Sequence, residues 1–341
     1  MNITTIPNHA WYRVLTWARR IMLVLLILFV AILVAFYMSH KVHLKGVQLL
    51  WKERSQSRVP VSGSTNSLRI LPLINWHASN DELQTEMGVS YLIQTDNQTI
   101  LFDVGHNSRA EDPSPLIKNM ERLGIRISDI DTIFISHLHF DHVGGKKWEK
   151  QNTFSLANKQ MDLSGKNVFT PVPLTYPGLS PRAISQPTEL FPGIVSLGPI
   201  ARQLFMGRID EQALAINVAN KGIVLFSGCG HQTLPRILQR ARESIGENIY
   251  GVVGDLHYPV PQGRLSLLGL NAQRVFASGD GPFETIEEGD IERDIGRLKN
   301  QNPGLVAIGG HDTSDEVIAL FADEFGSAYH HVRVGEWIEL R

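Results

Sequence analysis

Residues 21 to 38 form an uninterrupted apolar run, IMLVLLILFVAILVAFYM, without a charge, a glycine or a proline. A helix of this length rises about 27 Å, close to the hydrocarbon thickness of a bilayer. In lipid a helix pairs all of its backbone groups internally, and this run has no polar face to turn toward water. A cleavable signal peptide would need small residues at a cleavage site after the apolar run. The run instead ends in Tyr37 and Met38, followed by Ser39 and His40. The run therefore predicts one uncleaved, single-pass membrane anchor.

The charges beside the apolar run do not fix its orientation. Basic residues occur on both sides of it, at Arg13, Arg19, Arg20, Lys41, Lys45, Lys52 and Arg54. The positive-inside rule needs an excess on one side. A short tail followed by a long domain suits a signal anchor, so we expect a cell-membrane protein whose main domain is extracytoplasmic.

We predict four segments along the chain. They are an N-terminal tail (1–20), a transmembrane helix (21–38), a juxtamembrane segment and linker (39–67), and a folded domain (68–341). The linker includes the polar stretch RSQSRVPVSGSTNS, whose composition is typical of a connection between structured parts.

The composition excludes two classes of protein. Lysine and arginine number 32 against 34 acidic residues, for a net charge of −2. A nucleic-acid partner is therefore not expected, because its phosphates call for a clear basic excess. A single cysteine rules out an intramolecular disulfide framework and a cysteine-rich zinc module. The 43% of hydrophobic residues suffices for a large core.

After the linker, short apolar runs alternate with turn signals, which predicts a layered α/β domain with mixed sheets. The predicted strands are 68–74, 90–95, 99–103, 131–136, 213–218, 222–227, 249–253 and 305–308. Helices are predicted at 115–123, 234–245, 291–300 and 314–325, and a closing strand pair or bent strand at 332–340. The proline-rich segment 146–206 is predicted to be an irregular cap over the site.

The densest chemical signal follows the predicted strand 131–136. There the chain reads His137-Leu138-His139-Phe140-Asp141-His142, and two glycines follow. Neither a strand nor a helix can point four such side chains at one place, but a tight loop can, and the glycines permit that loop. Imidazole and carboxylate suit zinc, iron or manganese. The alternation suggests that His137 and His139 share one ion while Asp141 and His142 reach a second.

Further ligands must come from distant parts of the chain. Candidates follow other strands, each after a glycine: Cys229, His231, Asp255, His257 and His311. The ends of several strands can converge on one face of a domain, so these residues could complete the site.

The run SHLHFDHVGG at 136–145 resembles the signature of the metallo-β-lactamase-fold metallohydrolases. The surrounding motifs are similar to those of the subgroup named for 7,8-dihydropterin-6-methyl-4-(β-D-ribofuranosyl)aminobenzene-phosphate synthase: EMGVS at 86–90, LFDVG at 101–105, LIKN at 116–119, SGCGH at 227–231 and GGHDT at 309–313. The resemblance spans about 68–340. It implies an αββα sandwich with metals at one sheet edge, here preceded by the N-terminal transmembrane helix.

The resemblance also implies a ligand set. Matched residue by residue, the expected metal ligands are His137, His139, Asp141, His142, His231 and His311. Many family members carry a bridging aspartate where this chain has Cys229, as the subgroup commonly does. The subgroup's Gly-Gly-Phe-His is here Gly254-Asp255-Leu256-His257. Cys229, Asp255 and His257 are thus further ligands or neighbours of the ligands, and the site could hold one or two ions.

These observations together predict a membrane-anchored metal-dependent hydrolase. One or two divalent ions, with zinc expected and iron or manganese as alternatives, would activate water against an ester, lactone or phosphodiester of a small molecule, with a pterin-related compound as one candidate. Asp141 or His257 would move the proton. No pattern identifies the substrate-binding residues or the oligomeric state, although Arg182, Arg202 or Arg208 could bind an anionic group. The alternatives are a non-catalytic metal-containing ligand-binding or effector protein, and oxygen chemistry at a di-iron centre.

Overall fold

The computed structural model describes residues 8–54, 57–205, 207–246, 248–279 and 283–340. The first seven residues of the predicted tail lie outside this range. The helices are α1 (Asn8–Arg54), α2 (Pro115–Arg122), α3 (Lys146–Lys150), α4 (Leu234–Ser244), α5 (Ala272–Ala277), α6 (Glu288–Lys299) and α7 (Asp315–Phe325). The strands are β1 (Leu68–Ile74), β2 (Ser90–Thr95), β3 (Thr99–Phe102), β4 (Thr132–Phe134), β5 (Asn167–Thr170), β6 (Arg182–Ala183), β7 (Thr188–Phe191), β8 (Ile194–Leu204), β9 (Gly207–Val218), β10 (Gly222–Ser227), β11 (Ile249–Gly254), β12 (Ser266–Leu267), β13 (Leu270–Asn271), β14 (Leu305–Ile308) and β15 (Ile338–Leu340).

The chain divides into two units, Met1–Gly46 and Val47–Arg341. The first unit contains most of α1. A window of 18 residues within Trp11–Glu53 has a mean hydropathy of 3.2, and none of it is buried against protein. This makes α1 a candidate membrane span by length and composition.

The structure differs from the predicted linker over 39–67. Helix α1 continues to Arg54, and its last turns belong to the second unit, where the Trp51 ring lies 4.9 Å from the guanidinium of Arg240. Residues 57–67 then run along the second unit: Val59 N–H donates to the Ser244 carbonyl at 2.8 Å. Val59 and Val61 pack on its core. Polar composition suggested a free connection here, but two valines and backbone pairing attach the segment.

Two sheets form the centre of the second unit. The first sheet has seven strands in the order β15-β1-β2-β3-β4-β5-β6, and the second has six in the order β14-β11-β10-β9-β8-β7. Strands β3 to β6 run parallel, as do β10, β11 and β14, whereas the remaining neighbours are antiparallel. These are the mixed sheets that the sequence predicts.

Alternation along each strand separates the layers. In β10, Val224 and Phe226 face the core between the two sheets, and Ile223 and Leu225 face the opposite side, against α4, α6 and α7. The outer face of the first sheet is covered by α2 and by loops that follow β4. Because successive strand residues point to opposite faces, each sheet is apolar on both sides and needs cover on both. The result is the expected αββα sandwich.

The prediction of an irregular cap over 146–206 is wrong. This segment supplies β5 and β6 to the first sheet and β7 and β8 to the second. All eleven residues of β8 are buried, which means that it carries no alternating polar face for a sequence pattern to reveal. The predicted closing strand is also shorter than expected, since only Ile338–Leu340 pairs with β1.

The parallel strands bring the chemical motifs together. The loops that contain His137, Cys229, His257 and His311 follow β4, β10, β11 and β14 respectively. Parallel strands end at a common edge of their sheet, so the loops after β10, β11 and β14 lie side by side. The packing of the first sheet on the second adds the loop after β4.

Candidate metal centre

The loop after β4 is held in shape by backbone contacts. Gly144 has φ +87°, and a Cβ added there would lie 2.0 Å from the Ser155 carbonyl oxygen. The backbones therefore approach each other at a distance that only glycine allows. The Phe140 carbonyl accepts a hydrogen bond from Gly145 N–H at 2.7 Å, which closes the loop. This turn points the four predicted ligands of the loop in different directions around one point.

A first cluster consists of His137, His139 and His231. One ring nitrogen from each lies within 4.8 Å of the others. The His137 and His231 ring centroids are 5.2 Å apart, although 94 residues separate the two positions in the chain. The structure thus places the predicted pair of the first loop beside the predicted remote histidine.

A second cluster consists of Asp141, His142, Cys229 and His311, again with ligand atoms within 4.8 Å of one another. The His142 Nε2 atom lies 2.9 Å from Cys229 Sγ, and His311 Nε2 lies 3.4 Å from an Asp141 carboxylate oxygen. His137 and His142 are neighbours, with ring centroids 4.1 Å apart. The two clusters are therefore adjacent, and each contains two of the four candidate ligands of the first loop.

Asp103 orients histidines of both clusters. Its buried carboxylate accepts His142 Nδ1–H at 2.7 Å and the Ser136 hydroxyl at 2.6 Å. Because Ser136 donates its proton to Asp103, its oxygen accepts from His137 Nδ1–H, 2.9 Å away. Both rings are thereby held with Nδ1 as the donor and Nε2 directed into the site, the orientation that metal-binding histidines need. Asp103 itself has φ +56°, which is uncommon for a residue with a side chain.

Asp312 is a site residue that the sequence interpretation missed. It forms a third candidate cluster with Cys229, His231 and His257. An Asp312 carboxylate oxygen lies 3.1 Å from both His311 Nε2 and His257 Nδ1. Its position directly after His311 was the available signal, but adjacent residues usually point apart, and only the loop geometry turns both inward.

Asp255 is not part of these ligand clusters. Its carboxylate accepts from Asn75 Nδ2 at 3.2 Å and from Asp312 N–H at 3.2 Å. Asp255 therefore does not stand where a bridging carboxylate is needed. It instead supports the loop that presents Asp312.

Burial sets the charge of the first cluster. Burial, together with the neighbouring imidazoles, lowers the pKa of His137 and His231 well below the usual range. Burial also lowers the pKa of His139, to about 4. All three rings are consequently neutral near pH 7, which is the form that binds a metal.

The second cluster carries charge. Burial disfavours ionisation of Asp141, but the hydrogen bond from His311 and the charge of His142 hold the pKa of this carboxyl well below its usual range. Burial opposes protonation of His311, but Asp312 and Asp141 raise its pKa well above the ordinary value. The carboxylates are thus balanced by protonated imidazole, the positive charge that a bound cation would replace.

Unpaired buried atoms test whether this set suits a metal. Buried atoms of these clusters without a hydrogen-bond partner include His137 Nε2, His231 Nε2 and Asp141 Oδ1. A buried polar atom left unpaired costs about 1–3 kcal/mol of folding stability. Several such atoms in one place therefore indicate that they bind a ligand. Nitrogen, carboxylate and thiol donors at these separations fit one or two transition-metal ions.

A cavity of about 110 Å³ opens beside the clusters. Its lining combines the polar residues His139, Asp141, Cys229, His231, His257, Gln273 and Asp312 with the apolar residues Met87, Phe140, Leu265, Phe276 and Ala277. The apolar wall formed by residues 265–277 was not predicted. These residues come from the segment between β11 and α6, which therefore contributes the cover that we expected from 146–206.

The three arginines considered for an anionic group lie away from this cavity lining. Arg208 pairs with Asp210 at 2.7 Å, Arg202 donates to the Gly279 carbonyl, and the Arg182 guanidinium lies 5.9 Å from the ring of Phe169. The described lining contains neither lysine nor arginine.

Comparison with known proteins agrees with this geometry. A sequence model of the Metallo-beta-lactamase superfamily matches residues 83–153, which include the whole loop after β4. The chain contains a metallo-β-lactamase superfamily domain. The matched residues form part of the αββα sandwich described above.

Two relatives extend the match over the domain. The chain is 27% identical over 324 residues to the 7,8-dihydropterin-6-methyl-4-(β-D-ribofuranosyl)-aminobenzene-5'-phosphate synthase of Methanocaldococcus jannaschii, covering 81% of this chain and 98% of the relative. A solved structure described as a metal-dependent hydrolase of the β-lactamase superfamily superposes with a TM-score of 0.56 at 21% identity, covering 80% of this chain and 99% of the other. The second likeness shows the shared fold.

Proposed function

We propose that this metallo-β-lactamase superfamily protein is a metal-dependent hydrolase that acts on an ester, lactone or phosphodiester of a small molecule. The observation that carries the proposal is the convergence of candidate ligand residues from four separate loops beside one cavity, with several of their buried polar atoms unpaired. A merely structural polar core would pair those atoms with one another.

Two divalent ions suit the two adjacent clusters, with His137, His139 and His231 holding one and Asp141, His142, Cys229 and His311 holding the other. The mixture of imidazole, carboxylate and thiol favours zinc, and metal analysis distinguishes it from iron or manganese. A bound divalent ion would lower the pKa of a coordinated water toward about 7 and polarise the oxygen of the scissile group.

His257 is placed to move a proton. It lines the cavity, and its Nδ1 lies 3.1 Å from Asp312, without meeting the geometry of a hydrogen bond. Its φ of +56° is uncommon for a residue with a side chain and aims the ring toward the site. In this proposal Asp312 steadies the protonated ring, and His257 delivers the proton to the leaving group.

The cavity favours a substrate with an apolar portion. The cavity wall includes Met87, Phe140, Leu265 and Phe276 beside the ligand residues. Such a wall excludes water and binds an acyl or aromatic group, while the reacting oxygen faces the clusters.

A synthase activity is the second candidate, because the similarity to the M. jannaschii protein covers 98% of that relative. The name of that relative describes a product in which a 7,8-dihydropterin is linked through its 6-methyl group to a 4-(β-D-ribofuranosyl)-aminobenzene 5'-phosphate. The described cavity lining offers no arginine or lysine to the phosphate, which favours the hydrolase.

The deciding experiment combines metal analysis with turnover. Purified full-length protein is analysed for zinc, iron and manganese. It is then assayed with aryl and acyl esters, with lactones, with phosphodiesters, and with a 7,8-dihydropterin together with the ribofuranosyl aminobenzene phosphate. Turnover in the first three classes supports the hydrolase, and formation of the joined product alone supports the synthase. Bound metal without turnover of any of them would indicate a non-catalytic ligand-binding protein, and iron with a visible absorption band would indicate oxygen chemistry.

Two variants separate ligand from proton carrier. His139→Ala should lose metal and activity together, because it removes one of three ligands of its cluster. His257→Ala should retain the metal content of the wild type and lose about 10²–10⁴-fold in turnover, the usual contribution of general acid–base catalysis. Loss of metal in His257→Ala would place His257 among the ligands instead.

We further propose that α1 anchors the protein as a single membrane span with the catalytic domain on the extracytoplasmic side. The anchor is supported by the uncharged apolar run and by the fact that none of its 18-residue window is buried against the rest of the protein. Retention in the membrane pellet after alkaline carbonate extraction tests the anchor. Digestion of the domain by protease added to intact cells, but not by protease confined to the cytoplasm, tests the side.

A further inference from the structure

A small hairpin beside the cavity exposes an unusual amount of apolar surface. Strands β12 and β13 pair through Ser266 with Asn271 and Leu267 with Leu270. Leu267, Leu268 and Leu270 are 57%, 96% and 71% exposed. Among the described residues beyond α1, most of the large exposed hydrophobic side chains fall within 265–283. Scattered exposed leucines are ordinary, but a contiguous group marks an interaction surface.

The turn of this hairpin is unfavourable for a leucine. Leu268 and Gly269 occupy its two central positions with φ +51° and +78°. Such a turn favours asparagine, aspartate or glycine, because a residue with a larger side chain is strained at positive φ. Leucine at this tip is therefore favoured neither by the backbone nor by burial within the protein, which indicates a role outside it.

The base of the hairpin is fixed while its tip projects. Asn271 Nδ2 donates to the Pro259 carbonyl at 2.6 Å, and Gln273 Oε1 accepts Arg264 N–H at 2.6 Å. The Arg264 guanidinium in turn donates to the Gly310 carbonyl at 2.9 Å, next to the metal centre. The hairpin is thus a rigid extension of the site.

The apolar tip is continuous with the cavity. Leu265 is 46% exposed and also lines the cavity, as does Phe276 on the following helix α5. The ring of Phe276 packs against that of Phe205 with the centroids 4.8 Å apart, and Phe205 is itself 41% exposed. An apolar path therefore leads from the hairpin tip to the ligand clusters.

The chain itself indicates what covers this surface. Helix α1 is a candidate membrane span, and only residues 39–46 connect the apolar run to the unit that bears the hairpin. A domain tethered so closely encounters the bilayer surface at high effective concentration. Leucine side chains partition readily into the boundary between headgroups and acyl chains.

We propose that the β12–β13 hairpin inserts its leucines into the bilayer that anchors the chain, and that the adjoining cavity takes an amphiphilic substrate from this bilayer. The docking part rests on the exposed hairpin and on the proposed anchoring by α1. The substrate part rests on the proposed hydrolase function, and it narrows the substrate to an ester or phosphodiester that carries an acyl chain.

Site-specific fluorescence tests the docking part. The only native cysteine, Cys229, is 1% exposed, so a new surface cysteine can be labelled selectively. Full-length Leu268→Cys and the control Leu320→Cys, whose leucine is 37% exposed on α7, are labelled with the environment-sensitive dye NBD and reconstituted into phosphatidylcholine vesicles. We expect lipid carrying a shallow spin label to quench the dye at position 268 at least twofold and to leave position 320 unchanged. The native chain, treated with the same dye, gives the background fluorescence from Cys229 and from dye that is not covalently attached.

Equal quenching at both positions, or quenching at neither, would overturn the docking proposal. So would self-quenching at position 268 that grows with protein density, because the leucines would then cover a second copy of the chain.

A kinetic comparison tests the substrate part. The variant Leu267→Gln/Leu268→Gln/Leu270→Gln should lower the ratio of turnover of a long-chain ester in vesicles to that of a soluble short-chain ester at least tenfold. An unchanged ratio would refute uptake from the bilayer. If the wild type turns over neither ester, the hydrolase proposal fails, while the quenching result still decides whether the hairpin docks.

Discussion

Asp103 offers the sharpest test of the metal centre, because one buried carboxylate orients a histidine in each of two clusters. It accepts from Ser136 N–H at 2.7 Å, from the Ser136 hydroxyl at 2.6 Å and from His142 Nδ1–H at 2.7 Å. The substitution Asp103→Asn keeps the shape of this side chain, removes its charge and turns one oxygen into a donor.

Either orientation of the new amide places its NH₂ against a donor. If the NH₂ faces His142, the ring must move its proton to Nε2, the atom directed at Cys229. If it faces the other way, the buried Ser136 N–H is left unpaired. An unpaired buried donor costs about 1–3 kcal/mol of folding stability.

The expected effect on metal binding is similar in size to the effect on the fold. Removing a partner that orients a metal-binding histidine lowers metal affinity by roughly 10–100-fold, or about 1.4–2.8 kcal/mol. Because Asp103 also acts on His137 through Ser136, both clusters should weaken.

The assay is competition for zinc against a fluorescent chelator, together with urea unfolding of the metal-free protein. The control is Asp129→Asn, in which the replaced carboxylate pairs with Arg126 at the surface; it should change neither result. Wild-type zinc affinity in Asp103→Asn would refute the claim that this carboxylate sets the orientation of the ligands.

Three further predictions follow from single positions. Gly144→Ala should destabilise the domain by at least about 2 kcal/mol in urea unfolding, because its Cβ would meet a backbone oxygen 2.0 Å away. The control Gly124→Ala, at a similar φ of +71° but in open space, should cost about 1 kcal/mol. Equal losses in the two variants would contradict the steric argument. Leu225→Ala, in the core beneath the helices, should lower the free energy of unfolding by about 2–5 kcal/mol, and the exposed control Leu320→Ala by less than about 0.5 kcal/mol. A small decrease for Leu225→Ala would mean that the layer assignment is wrong. With cobalt in place of the native ion, the wild type should show a thiolate-to-metal charge-transfer band that Cys229→Ser lacks; the same spectrum in both proteins would remove Cys229 from the ligands.

Local patterns account for the parts of the fold that the sequence predicted. Strand β1 is found at the predicted residues, and β2 and β10 likewise, because each is a short apolar run bounded by turn residues. The helices α4 and α7 begin and end within a residue of the predicted limits, since their apolar periodicity is unbroken. Strands β7 and β8 escaped prediction because β8 is buried on both faces and interrupted by Gly198 and Pro199.

The same distinction applies to the candidate site. The compact run His137 to His142 identified a metal-binding loop because four ligand types in six residues are rarely accidental. Asp312 could not be assigned from its neighbour His311, since whether two adjacent side chains face the same point depends on the loop that carries them.

By itself, the sequence determined which chemistry is present and where the apolar helix lies, because ligand type and continuous hydrophobicity are properties of a residue and its immediate neighbours. Only the tertiary structure decided how those ligands group. Asp255 turned out to support a loop, Asp312 to enter the site, and residues 265–277 to form the cavity wall. Each of these outcomes depends on tertiary contacts, which bring together atoms that are distant along the chain and that no local pattern encodes.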